Sequence, residues 1–284
     1  MIPPIATTVA ETRAAATTAR RGGKRIGFVP TMGALHAGHA ALIRASRSEC
    51  DFTVVSIFVN PPQFGPNEDY SRYPRTLDAD RQLCGAIGTD LIFAPTPEEM
   101  YPPGSRTIVE VAGLQDALCG ASRPGHFRGV ATVVNKLFNI VQPDFAYFGQ
   151  KDAQQALIVR RMVADLNMPL VVRIHPTVRE PDGLAMSSRN RYLDPTQRMH
   201  ATSLYRALQK VEKLVVAAGE RRIPELEREM VEIIRSTPGA RLDYARVLDA
   251  ETLEPMTTLD RPALAALAVY FGTTRLIDNT LLAP

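Results

Sequence analysis

The 284-residue chain has no tryptophan, only 6% aromatic residues and three cysteines, Cys50, Cys84 and Cys119. The cysteines form no Cys-x-x-Cys pair, which removes the usual thiolate zinc and dithiol redox motifs, and their odd number argues against a disulfide framework. Each is expected to be a small buried residue or a free thiol in a reducing cytoplasm. No apolar run is long enough to cross a bilayer. Arg13, Arg20 and Arg21 stand among alanines and threonines with no continuous apolar stretch behind them. Neither a membrane span nor a leader is therefore expected. Charge of one sign is scarce too. With 33 Lys+Arg against 30 Asp+Glu, the net charge is +3, which gives no ground for a nucleic-acid partner.

What is present is enough for a sizeable core, since 45% of the residues are hydrophobic. The length exceeds that of the usual single domain, so one large and one small domain are expected. Residues 25–29 and 52–59 are apolar runs, the second rich in β-branched side chains, and read as strands buried on both faces. Residues 77–87 read as a helix and 90–93 as a strand. Val130, Val133, Val134, Leu137, Phe138 and Val141 then recur at helical spacing, marking a helix over 127–141. A strand over 145–148, a helix over 152–166 and a strand over 170–175 complete the alternation. Such a pattern predicts an α/β fold, a Rossmann-like parallel sheet wrapped by helices. Beyond Pro176 the pattern changes to helices over 195–218 and 224–236 and strands over 242–247 and 264–271. That region reads as a smaller C-terminal α+β domain, giving domains of 1–176 and 177–284.

The most informative segment is Pro30-Thr31-Met32-Gly33-Ala34-Leu35-His36-Ala37-Gly38-His39. It lies between a predicted strand and a predicted helix. A glycine-bearing turn there offers backbone N–H groups and the positive end of the helix dipole to an anion. His36 and His39 add polar donors, and Gly38 removes a side chain between them. Zinc is the competing reading of two histidines, but the neighbouring sequence supplies no cysteine or carboxylate at ligand spacing. Nucleotide phosphate is the better fit. A second polar segment, Asp182-Gly183-Leu184-Ala185-Met186-Ser187-Ser188-Arg189-Asn190, is punctuated by Pro176 and Pro181 and reads as a loop. Its two hydroxyls beside an arginine suit phosphate oxygens.

Together the two segments resemble the paired signatures of the class I aminoacyl-tRNA synthetase-like nucleotidyltransferases, in which a His-x-Gly-His motif and a mobile Met-Ser loop grip ATP. Further segments narrow the resemblance. They are Val55-Ser56-Ile57-Phe58-Val59-Asn60-Pro61-Pro62-Gln63-Phe64, Tyr73-Pro74-Arg75-Thr76, Phe148-Gly149-Gln150-Lys151-Asp152-Ala153-Gln154-Gln155, Thr177-Val178-Arg179-Glu180 and Met186-Ser187-Ser188-Arg189-Asn190-Arg191-Tyr192-Leu193. In this order and spacing they are similar to the pantothenate synthetase family over nearly the whole chain.

That resemblance implies an AMP-forming ligase. Pantoate would attack the α-phosphorus of ATP to give pantoyl adenylate and pyrophosphate, and β-alanine would then take the acyl group and release AMP. It implies Mg²⁺ on the triphosphate, a cytoplasmic enzyme and a homodimer. His36, His39, Lys151 and Arg189 take the catalytic roles. Met32, Gly33, Ala34, Leu35, Ala37, Gly38, Gly149, Gln150, Asp152, Val178, Met186, Ser187 and Ser188 join them as ATP contacts, Val178 through its backbone to adenine. Gln63 and Gln155 are the pantoate candidates, because a neutral amide binds a carboxylate without blunting it as a nucleophile. Gln63 is also placed near β-alanine. Arg123 and His126 are candidates for phosphate or for the second-substrate pocket, and Asp80 for magnesium. Another His-x-Gly-His nucleotidyltransferase remains the alternative.

Overall fold

The computed structural model, which describes residues 2–66 and 68–284, begins with strand β1 (Ile5–Ala6) and helix α1 (Val9–Arg21). The sequence reading does not include α1. Its signal is a capping box: the Thr8 side chain accepts from the Glu11 amide while the Glu11 side chain reaches back to the cap, a reciprocal arrangement that starts a helix. There follow β2 (Ile26–Thr31), α2 (Ala37–Glu49), β3 (Phe52–Ile57), α3 (Leu77–Ile87), β4 (Leu91–Phe93), α4 (Pro97–Met100), α5 (Cys119–Ser122), α6 (His126–Val141), β5 (Phe145–Gly149), α7 (Ala153–Asp165) and β6 (Val171–His175). The remaining elements are α8 (Pro195–His200), α9 (Ser203–Ala218), α10 (Ile223–Arg235), β7 (Ala240–Asp249), β8 (Ala263–Phe271) and β9 (Thr274–Leu282).

Contacts divide the chain into two units, one of residues 1–115, 123–150 and 154–176, the other of 116–122, 151–153 and 177–284. In the first, six strands form one sheet in the order β1-β4-β3-β2-β5-β6, all pairs parallel. Parallel pairing explains why β2 and β3 read as continuous apolar runs: Val29, Val54 and Val55 are wholly buried, with helices covering both faces. Val29, Ile43, Val55, Cys84, Ile92 and Tyr147 form one core cluster. The order places β3 and β4 to one side of β2, and β5 and β6 to the other. The chain thus reverses direction across the sheet between β2 and β5, where open α/β sheets bind ligands at their carboxyl ends.

The second unit carries the antiparallel sheet β7-β8-β9. Leu204, Leu208 and Val211 of α9 and Leu226, Met230 and Ile234 of α10 pack on its Val247, Leu267 and Val269. The expected helix over 195–218 is two helices, α8 and α9. Strand β9 is absent from the sequence reading because Arg275, Asp278, Asn279 and Thr280 mask its periodicity. Residues 116–122 and 151–153 join this unit through contacts that no change in composition announces.

Asp249 ends β7 and organises the turn after it. Its carboxylate accepts from the Glu251 and Thr252 amides at 2.9 and 2.8 Å and from Arg261 Nε at 2.6 Å. Burial opposes the charge, but these donors win and hold the carboxyl at about 2. A depressed carboxyl stabilises the fold above its unfolded value and loses that contribution as pH falls toward the folded one. Asp249→Asn is therefore expected to cost roughly 1–2 kcal/mol near neutrality and nothing below pH ~2. Denaturant unfolding of both forms from pH 7 to 2 measures it; a constant difference across that range would rule this carboxylate out as the cause.

Candidate active site

Four chain segments that leave the carboxyl ends of the parallel strands carry the expected motifs: the turn after β2, the turn after β3, the segment after β5 and that after β6. After β2, the two histidines cap α2 reciprocally. His36 Nδ1 accepts from the Gly38 amide at 3.1 Å, and His39 Nδ1 accepts from the His36 amide at 3.3 Å. The rings lie 4.1 Å apart, centroid to centroid. An imidazole nitrogen that accepts an amide N–H carries no proton, so each neutral ring holds its proton on Nε2. Capping thus sets both tautomers as Nε2–H donors.

The same geometry shows that several backbone amides of this turn are bonded within the protein. The Gly33 amide donates to Thr31 Oγ1 at 3.1 Å, Ala34 to Asp80 Oδ2 at 3.0 Å and Leu35 to Asp80 Oδ1 at 2.8 Å. The His36 and Gly38 amides are bonded as described above. Asp80, 2% exposed on the first turn of α3, therefore clamps the turn. Its partners on the turn lie some 45 residues away in sequence, out of reach of local pattern. The imidazoles keep an Nε2–H that neither cap contact uses.

After β3, Asn60 begins a 3-10 turn, Pro61–Gln63. Asn60 is not among the residues expected from sequence, although a strand ending in Asn-Pro is a turn signal. It is 1% exposed and Gln63 8%. Asn60 Nδ2 donates to Gln63 Oε1 and to the Gly129 carbonyl, both at 3.1 Å, and Gln63 Nε2 reaches Met32 Sδ at 3.0 Å. Gly129 of α6 makes this approach possible: a Cβ there would lie 2.6 Å from the Pro62 carbonyl oxygen and 2.7 Å from Gln63 N. His126 Nδ1 lies 2.8 Å from the Gln63 carbonyl, and its Nε2 lies 3.0 Å from Arg123 Nη1. Arg123 holds Glu68 through two contacts of 2.6 Å. Arg123 and His126 thus brace the Gln63 backbone, which differs from the phosphate role considered for them.

After β5, a Cβ on Gly149 would meet no protein atom within 4 Å, so packing does not require glycine there. Gln150 to Asp152 form a 3-10 turn. Lys151 Nζ lies 3.5 Å from Asp152 Oδ1, and Asn279 Nδ2 donates to the Lys151 carbonyl at 2.9 Å. On the first turn of α7, Gln154 is buried and donates to the Leu114 carbonyl at 2.9 Å, while Gln155 is half-buried. The neighbouring glutamines therefore differ: Gln154 ties the helix down and Gln155 is the substrate candidate.

The Met-Ser segment is more ordered than a plain loop. Arg179 and Ala185 form an antiparallel bridge, the Met186 amide donates to the Val178 carbonyl at 3.0 Å and Glu180 to Leu184 at 2.8 Å. The result is a small hairpin. Gly183 sits at its tip with φ +93°, and a Cβ there would fall 1.9 Å from the Tyr205 ring. Ser187 then caps a 3-10 turn over Ser188–Tyr192, its Oγ accepting from the Arg189 amide at 3.2 Å. Asn190 Nδ2 donates to the Ala185 carbonyl at 3.0 Å. Ser188 is buried, and Arg189 and Met186 are half-buried. Leu184 and Ala185 are core residues and anchor the start of this segment.

A doubly wound sheet with paired Nε2–H donors at its reversal point defines a nucleotide-binding α/β protein of the nucleotidyltransferase type. Comparison with known proteins specifies the family. The family described as pantoate-beta-alanine ligase matches residues 4–281. A pantothenate synthetase of Pelotomaculum thermopropionicum is 56% identical over 278 residues, 98% of each chain. The crystal structure of pantothenate synthetase from Thermus thermophilus superposes with a TM-score of 0.93 at 50% identity, over 99% of this chain and 100% of that one. That of pantoate-beta-alanine ligase from Francisella tularensis, complexed with beta-gamma ATP and beta-alanine, gives 0.81 at 36% identity over 98% and 97%. The chain belongs to the pantoate–β-alanine ligase family, enzymes that form the amide bond. The alternative of another His-x-Gly-His nucleotidyltransferase finds no support in these matches.

Proposed function

We propose that this chain joins pantoate to β-alanine in two steps on one ATP. A carboxylate does not condense with an amine in water near neutrality, because its oxygen is too poor a leaving group. Attack by a pantoate carboxylate oxygen on the α-phosphorus expels pyrophosphate and gives a mixed anhydride. The β-alanine amine then attacks the acyl carbon, the C–O bond breaks and AMP leaves. The observation that carries this reading is the reciprocal cap, which sets two imidazoles as Nε2–H donors at the sheet's ligand edge. Preorganised donors of that kind stabilise charge developing on phosphate oxygens.

His36 and His39 are assigned to those oxygens. Lys151, Ser187, Ser188 and Arg189 are assigned to ATP phosphate as well, Arg189 chiefly as charge develops. Gly149, Gln150 and Asp152 with the Met32–His39 turn are assigned to the rest of the nucleotide, and the Val178 backbone to adenine. The amides committed within the turn leave Gly33, Ala34 and Leu35 a shaping role. Gln63 and Gln155 are assigned to pantoate, and Gln63 also to the β-alanine side. Mg²⁺ neutralises the triphosphate when bound. Both Asp80 oxygens accept amides of the turn, so Asp80 is not assigned to the ion. A cytoplasmic homodimer belongs to the same reading.

Product analysis with ATP, pantoate and β-alanine, omitting each in turn, tests the order of steps. Pyrophosphate is expected without β-alanine, and AMP plus amide only with it. Pyrophosphate that waits for β-alanine would contradict a separate adenylate. A narrower outcome concerns Gln155. Gln155→Ala is expected to weaken pantoate about 3–10-fold, one amide bond's net worth, with ATP affinity unchanged. Calorimetric titration of each ligand reads the difference, and equal losses for both would remove Gln155 from the pantoate site.

A further inference from the structure

Asn60 and Gln63 present two amides whose orientation decides what a ligand meets, and the surrounding groups fix that orientation. The Gly129 carbonyl can only accept, so the Asn60 atom facing it at 3.1 Å is Nδ2. Asn60 Oδ1 therefore faces Tyr101, whose hydroxyl donates to it at 2.6 Å. Nδ2 also faces Gln63, so the Gln63 atom toward it is Oε1. Gln63 Nε2 points the other way, at Met32 Sδ, 3.0 Å off. A thioether is a weak acceptor, so an incoming carboxylate or hydroxyl oxygen displaces it readily. His126 completes the frame. Arginine only donates, so His126 Nε2 accepts from Arg123 and Nδ1–H donates to the Gln63 carbonyl.

We propose that Tyr101 is a positioning residue for the ligase reaction: its hydroxyl holds Asn60, and through it keeps the Gln63 amide with Nε2–H toward the pantoate oxygens. This rests on the assignment of Gln63 to pantoate made above. Tyr101 is suited to a donor's part. Burial pushes its hydroxyl up to about 12, so it stays protonated at any working pH. Its ring packs 6.4 Å from that of Phe58 and lies under Lys136 Nζ at 5.5 Å, contacts that phenylalanine would keep. Removing the hydroxyl strands Asn60 Oδ1, an atom of a side chain only 1% exposed. Asn60 is then fixed through Nδ2 alone, which loosens its hold on Gln63 and lets that amide present Oε1, which repels a carboxylate.

The test compares Tyr101→Phe, Gln63→Ala and the double variant in pantoate-dependent pyrophosphate release. Tyr101→Phe is expected to raise the KM for pantoate ~10-fold, the loss of one buried bond partner, while the KM for ATP stays the same. Because the hydroxyl acts only through Gln63, adding Tyr101→Phe to Gln63→Ala is expected to raise that KM no further. If Gln63→Ala weakens pantoate but Tyr101→Phe does not, or if the two effects multiply, the positioning role is overturned and Gln63 keeps its assignment. If Gln63→Ala leaves the KM for pantoate unchanged, the assignment of Gln63 falls first and the role of Tyr101 with it.

Discussion

His36→Ala is expected to slow pantoate-dependent pyrophosphate release about 10²–10³-fold, equivalent to ~3–4 kcal/mol of transition-state stabilisation. The structure adds a complication, because the same imidazole caps α2. Losing an N-cap costs ~0.5–2 kcal/mol of stability, too little to unfold a domain of this size. His36→Asn separates the two roles, since asparagine caps well but has no donor at the Nε2 position. It is expected to restore the stability and not the rate. Single-turnover pyrophosphate release by both variants is the measurement. A near-wild-type rate in either would take His36 out of the chemistry.

Arg179→Met is expected to destabilise the second unit by about 3–5 kcal/mol, the range for breaking one partner from a buried ion pair. Arg179 meets Asp278 through two contacts, Nη1 to Oδ2 at 2.6 Å and Nη2 to Oδ1 at 3.1 Å. The Asp278 side chain is 1% exposed, and burial pushes its carboxyl up in spite of the arginine. The guanidinium also donates to the Gly183 carbonyl at 3.1 Å and lies 4.4 Å from the centre of the Tyr205 ring. One side chain therefore anchors the hairpin that leads into Met186–Arg189. Arg179→Met is further expected to speed hydrogen exchange at Leu184 and Met186. Asp278→Asn in the same chain removes the stranded charge and is expected to recover part of the loss. Unfolding midpoints for the single and double variants read both effects, and an unchanged midpoint for Arg179→Met would show that the pair is not a structural anchor.

Much of the molecule is legible where a local pattern carries the information. The stripe from Val130 to Val141 predicts α6, and β-branched runs predict β2 and β3, because burial on both faces leaves no polar residue to break them. Helix α1 escapes such a reading despite its Thr8–Glu11 box, since its alanines and threonines show little apolar contrast. Strand β9 is hidden by Asp278 and Asn279, which are buried because they have partners. The site divides in the same way. Residues assigned to a ligand stand in ordered motifs and can be named from sequence. The contacts that hold the motifs in place cannot: Asp80, Arg123 and His126 are candidates in the sequence for other roles, and their hold on the turn and on the Gln63 backbone, like that of Tyr101 and Gly129 on Asn60, acts across long stretches of chain. His36 and His39 lie between these cases. Their place is legible, but their mutual cap replaces the familiar Ser/Thr…Glu pair with imidazoles and is invisible as such.

The reaction turns on attack by the pantoate carboxylate oxygen at the α-phosphorus. Running one turnover with pantoate labelled by ¹⁸O in its carboxylate tests it most directly, with mass analysis of the AMP, the pyrophosphate and the amide. Attack at that phosphorus followed by C–O cleavage places one labelled oxygen in the phosphate of AMP and leaves the other in the amide carbonyl. AMP free of label, or label recovered in inorganic phosphate beside ADP, would contradict it.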